Sequence, residues 1–114
     1  MTMHGIDRIH RIASSIKEYA FEVLDAFDDA YGDTYEILEV GPGDYDDVYC
    51  ILECPGDVLA VCTISMENGY ECRLDYAFDD VEDIAESDVI RLTNDPKSSA
   101  RLIHDTIEDY MSEI

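Results

Sequence analysis

The chain has 114 residues, 28 of them Asp or Glu against 7 Lys or Arg, so its formal net charge is −21 with the three histidines neutral. That length suits one domain, residues 1–114, and leaves little room for a second core. A hydrophobic fraction of 46% is that of an ordinary globular protein and argues against a disordered acidic chain.

No stretch approaches the roughly 18 to 20 consecutive apolar residues that span a bilayer, and an acidic surface is repelled by anionic headgroups, so membrane binding is not expected. Met1 to His10 carries neither an apolar h-region nor a small-residue cleavage site, so the chain is expected in the cytoplasm. Direct contact with a phosphate backbone needs clustered Lys and Arg, which this sequence lacks. Nucleic acid is excluded as a direct ligand, though proteins that bind nucleic acid are not.

From Ile6 to Ala30, the residues Ile6, Ile9, Ala13, Ile16, Ala20, Val23, Phe27 and Ala30 recur at spacings of three and four. This predicts one long helix of about 37 Å with a continuous apolar seam, packed across a sheet or paired with another copy. Gly32 is its stop signal. Strands follow over Thr34–Val40, Tyr45–Cys54, Val58–Met66 and Tyr70–Tyr76, separated by Gly41-Pro42-Gly43-Asp44, Pro55-Gly56-Asp57 and Glu67-Asn68-Gly69. Three-residue connections at the two later turns place Cys50 opposite Cys62 and Ile64 opposite Cys72, because side chains alternate between faces. One face then collects Val48, Cys50, Leu52, Cys54, Val58, Ala60, Cys62, Ile64, Tyr70, Cys72, Leu74 and Tyr76. The other is polar, interrupted by Tyr49, Ile51, Leu59 and Val61.

Asp79–Thr93 places Val81, Ile84, Ala85, Val89 and Leu92 at mostly helical spacing, with Asp79, Asp80, Glu82 and Asp83 in a favourable first turn. Its end, Val89–Thr93, reads equally as a short fifth strand. Asn94 or Asp95 caps a last helix beginning at Pro96, with Ala100, Ile103, Ile107, Tyr110 and Ile114 as its buried stripe. The expected fold is α+β: a long N-terminal helix, a four-stranded antiparallel sheet and two C-terminal helices packed on one sheet face.

No catalytic constellation stands out, and the chain is not read as an enzyme. The four cysteines are separated by three, seven and nine residues, unlike the paired short spacings of a zinc site, so free buried thiols are expected, with a Cys50–Cys62 disulfide or a metal as the alternative. His4, His10 and His104 lie in no nucleophile–base arrangement. Neither the acidic run 28–33 nor 43–47 matches a calcium-binding loop. No cofactor or metal is expected.

The charge is segregated. Residues 1–21 sum to +1, residues 22–96 to −20 and residues 97–114 to −2. On the first helix Arg8 and Arg11 lie near the positive end of the macrodipole and Asp25, Asp28 and Asp29 near the negative end, each mismatch costing about 0.3–1 kcal/mol where exposed. The placement of the acids therefore serves something other than stability. Duplex DNA carries one charge per about 1.7 Å, so 21 charges match about 36 Å of duplex, against a diameter of about 34 Å for a domain of this size. A partner with a basic groove shaped for nucleic acid should attract such a molecule strongly.

In these respects the chain resembles the DNA-mimicking anti-restriction and anti-CRISPR inhibitors of phages and mobile elements. The likeness lies in composition and coarse architecture over the whole chain, with no motif. It implies binding, in the host-cell cytoplasm, to a nucleic-acid-binding protein or ribonucleoprotein effector at its DNA-binding or PAM-reading surface. The acids that would stand in for phosphates are Asp28, Asp29, Asp33, Asp44, Asp46, Asp47, Asp79, Asp80, Glu82, Asp83, Glu86 and Asp88. Tyr31 and Tyr45 offer aromatic anchors or half-buried structural contacts. Two other classes compete: a secretion-type chaperone or adaptor, monomeric or homodimeric, using the apolar stripe of Tyr49, Ile51, Leu59 and Val61, and a halophilic-type acidic domain without a dedicated partner.

Overall fold

The computed structural model describes residues 4–43, 47–66 and 69–114, with side chains described from Ile16 onward. A helix α1 (His4–Tyr31) leads into five strands, β1 (Glu36–Pro42), β2 (Val48–Cys54), β3 (Val58–Met66), β4 (Tyr70–Ala77) and β5 (Glu86–Arg91), and the chain closes with α2 (Pro96–Glu113). The sheet is an antiparallel meander in the order β1-β2-β3-β4-β5.

The expected architecture needs one correction. Residues 79–93 do not form a second helix: the segment after β4 is a loop, and Glu86–Arg91 pairs with β4 as a fifth, edge strand. There are thus five strands and two helices, only one of them C-terminal. The acids and the helical spacing of 79–92 fitted a helix locally, but β4 would otherwise leave an unpaired edge, and β5 satisfies it from Glu71↔Arg91 to Tyr76↔Glu86. The bonds from Ala85 N to Tyr76 O and from Leu92 N to Tyr70 O extend the pairing at both ends.

The central register is as the alternation requires, with Cys50 opposite Cys62 and Ile64 opposite Cys72. Val48, Cys50, Leu52, Cys54, Val58, Ala60, Cys62, Ile64, Cys72, Leu74 and Tyr76 are buried in one core with Ile16, Tyr19, Ala20, Val23, Leu24 and Phe27 of α1 and Ala100, Ile103, Ile107 and Tyr110 of α2. Both helices therefore cover one face of the sheet. All four thiols are free and buried, and Cys62 Sγ lies 3.1 Å from Cys72 Sγ. Ala30 and Ile114, expected in the helical stripes, are exposed. Tyr31 takes the packing position at the end of α1, and Ile114 lies beyond the last turn of α2. The seam positions Ile6, Ile9 and Ala13 fall outside the described side chains.

Local chemistry sets the element ends. Gly32 N donates to Asp28 O at the end of α1, and a Cβ on Gly32 would sit 2.4 Å from that oxygen, so only glycine fits. At the head of α2, Asp95 is the cap, its carboxylate accepting from the Ser98 amide (3.2 Å) and hydroxyl (2.7 Å), with Pro96 at the first helical position. Tyr19 ties the two helices together: its hydroxyl donates to Thr93 O (2.6 Å) and meets the buried Ser99 hydroxyl at 2.7 Å. Farther along, Tyr31 stacks on His104 at 3.8 Å and Tyr35 donates to Glu108 at 2.6 Å. These contacts advance in the same direction on both helices, so α1 and α2 run parallel.

Candidate acidic interface

The connectivity brings the acids together. β1 begins and β2 ends at one edge of the meander, where Glu36 pairs with Glu53. β4 ends and β5 begins at the same edge, where Tyr76 pairs with Glu86. The C-terminus of α1 delivers the chain to that edge, and Tyr110 near the end of α2 stacks on Tyr76 at 3.8 Å. Segments 32–36, 53–58, 76–88 and 108–114 thus converge on one end of the molecule. Together they hold 13 of the 28 acidic residues and no lysine or arginine.

Of the acids singled out in the sequence, Asp33, Asp79, Asp80, Glu82, Asp83, Glu86 and Asp88 lie at this end; Asp28 is in the last turn of α1, and Asp29 lines a cavity between the helices with Lys97 and Arg101. Asp47 lies at the opposite end, in the β1–β2 connection, where Gly43 N donates to Asp47 O. Asp44, Asp46 and Tyr45 are outside the described residues. Sequence reasoning missed Glu36, Glu53 and Asp57, which strand register would have placed there, and Asp109 and Glu113, which required knowing that β5 is a strand. The extra strand returns the chain to the far end, so α2 runs back toward the acids.

The loop between β4 and β5 presents its charges on ordered backbone. Glu82 N donates to the Asp80 carboxylate at 3.1 Å and Asp83 N to Asp80 O at 2.9 Å. Phe78 and Ile84 flank this acidic loop and are 44% and 43% exposed, the anchor type that protein interfaces bury. Tyr31, by contrast, is half-buried against His104 and Phe27 and serves packing.

The cations occupy the rest of the molecule. Lys97 and Arg101 lie in the first half of α2, and Arg73 and Arg91 lie on the sheet face opposite the helices, where they pair with Asp75 (3.0 Å) and Glu71 (3.9 Å). Both helices therefore carry charge against their macrodipoles, and both negative ends point to the acidic end. The helix-free sheet face carries half-buried Tyr49, Ile51, Leu59 and Val61 at its centre and Val89, 64% exposed, toward β5. A cavity of about 680 Å³ opens between α1 and α2 beside Ala26, Asp29, Ala30, Lys97, Arg101 and Asp105, away from the acidic loop. Among the described residues no group of three His, Cys, Asp or Glu side chains gathers closely enough to hold a metal ion, and no helix is long and apolar enough to cross a membrane. No family model matches the chain, and neither a curated protein nor a solved structure is significantly similar to it.

Proposed function

We propose that this protein is an acidic inhibitor or regulator that binds a nucleic-acid-binding effector, a restriction or CRISPR complex being the class its composition resembles, and occupies the basic surface meant for DNA. It is a binding protein in this reading, acting in the host cytoplasm, and no residue is assigned a catalytic role. The observation that supports it is the convergence of four separate segments into one end that holds 13 acids and no lysine or arginine. Such a field steers a basic partner into place and releases the counterions held by both surfaces. A halophilic domain that only needed solvation would gain nothing from crowding its acids at one end, at the expense of both helix dipoles.

The test is capture of host proteins on the immobilised chain, followed by elution with duplex DNA. A nucleic-acid-binding protein displaced by duplex, and bound more weakly as salt rises, is the expected result. Failure of duplex DNA to displace any captured protein overturns the reading. The apolar helix-free sheet face favours a second reading, an adaptor or homodimer joined through Tyr49, Ile51, Leu59 and Val61, whose binding would be insensitive to salt.

A further inference from the structure

The first helix is longer than the body it packs on. Tyr19 stacks on Tyr70, the first residue of β4, at 3.6 Å, and its hydroxyl donates to Thr93 O just ahead of α2. Tyr19 is therefore level both with one end of the sheet and with the start of the second helix. Ile16, one turn earlier, still packs into the core. The residues before it, His4 to Ser15, carry α1 past that end by about 18 Å. No other helix or strand among the described residues extends there, and the molecule is accordingly 55 Å long against 28 and 24 Å across. The apolar seam does not stop where the body does. Spacings of three and four put Ile6, Ile9 and Ala13 on the same helix face as the buried Ile16, Ala20, Val23 and Phe27, and Ile12 widens that face. A helical arm this short is marginal in water by itself, and its β-branched isoleucines lower its helix propensity further.

We propose that this arm pairs antiparallel with the same arm of a second copy, joining two chains end to end. Charge selects both the partner and the direction. Residues 1–15 carry a net charge of +1 and the rest of the chain −22, so the arm is the one segment that a second copy approaches without meeting a strongly acidic surface. Parallel arms would set two acidic bodies side by side, whereas antiparallel arms hold them at opposite ends and also oppose their helix dipoles. In that register Ile9 lies near the two-fold axis, with Ile6 of each copy level with Ile12 and Ala13 of the other. The contact is the same patch on both chains and closes after two copies. Ile6, Ile9 and Ile12 of both copies would bury about 60–120 Å² each, or about 400–700 Å² of apolar surface in all. At about 65% apolar this corresponds to roughly 600–1,100 Å² of interface, the size of a weak, reversible association.

The test is sedimentation and small-angle X-ray scattering of the full chain from about 5 to 500 µM, at about 0.1 and 0.5 M salt. A monomer–dimer equilibrium that tightens with salt, as the two bodies are screened, is the expected result. The dimer should be about 90 Å long, twice the 55 Å of one copy less the overlap of the arms. Ile9→Glu should weaken it at least about tenfold and leave the urea midpoint and near-ultraviolet circular dichroism unchanged, because the residues from Ile16 onward hold the core. Arg8→Glu combined with Arg11→Glu keeps the seam and makes the arm acidic, so it should weaken the dimer at low salt and recover at high salt. A chain that is monomeric at the highest concentration and salt, a dimer of about 55–60 Å joined side by side through the helix-free sheet faces, or a dimer that survives Ile9→Glu would each overturn the proposal. Loss of the urea transition in Ile9→Glu would do so too, by placing the arm in the core of the single chain. The result is independent of the acidic interface, since salt strengthens this dimer and weakens a complex with a basic partner.

Discussion

Tyr76 concentrates two opposing demands in one side chain. Its ring is held between the sheet and Tyr110, while its hydroxyl is buried without a partner, a condition that costs about 1–3 kcal/mol. Tyr76→Phe is therefore expected to stabilise the free protein by about 1 kcal/mol, seen as a higher urea midpoint at unchanged m. A lower midpoint would show that the hydroxyl is already bonded in the free protein. Other buried groups set the alkaline limit of the fold. Burial raises Cys54 to about 12, and burial followed by the Glu108 contact raises Tyr35. Both groups stay neutral in the folded chain but ionise near their ordinary values of 9.0 and 10.0 once unfolded. Their stabilising contribution is thus complete below about pH 9 and is lost as the pH climbs toward the folded values. Urea midpoints should be flat from neutral pH to about pH 9 and fall above it; a midpoint that holds steady to about pH 11 would contradict this assignment.

At the scale of elements, β2, β3 and β4 were legible because each alternates apolar and polar residues and turns supply Gly and Pro at the right intervals. One register then satisfies all three strands at once. The long first helix was legible from its seam, and the Asp95-Pro96 start of α2 from its capping chemistry. β5 was legible only at its end, where Val89–Thr93 could be read as a strand, and its sequence shows why: of the three positions that face the helices, Glu86 and Asp88 are acidic and only Ile90 is apolar, so the strand has a broken apolar face. Strand preference depends on the neighbouring strand more than on the residue itself, and here pairing with β4 outweighs the two strand carboxylates. Restoring the missing alternation is a direct test. Asp88→Val should raise stability by up to about 1 kcal/mol, the span of strand preferences, as measured by thermal or urea unfolding. It should also increase self-association in sedimentation, because a more apolar β5 is a better template for edge pairing. A destabilised Asp88→Val chain would mean that the carboxylate already holds part of the fold together.

Over the whole molecule, the charge is arranged as a dipole: acids at the end where α1, α2, the β2–β3 turn and the β4–β5 loop meet, cations toward the other end and on the helix-free sheet face. Neither half of this arrangement was visible from composition, and the placement of α2 in it depended on an uneven strand count. Such crowding of like charge opposes folding, and salt relieves it. The Debye length shrinks from about 30 Å at 0.01 M to about 10 Å at 0.1 M, so most of the gain in stability should come within that interval. The chain should nevertheless be folded at about 0.01 M salt, because its core of buried sheet and helix residues is independent of charge; an obligate halophile would unfold there. Neutralising Asp79, Asp80, Glu82 and Asp83 together, to Asn or Gln, removes four like charges from exposed loop positions whose side chains support no core packing. The melting temperature of this variant should therefore match or exceed that of the parent, and its dependence on salt should be shallower. A partner drawn in by the acidic end should respond in the opposite sense, binding the variant more weakly and with a smaller salt slope. If the variant loses stability, the loop acids belong to the fold. If it keeps both stability and partner binding, the acidic end is not the interface, and the apolar helix-free sheet face becomes the surface to examine.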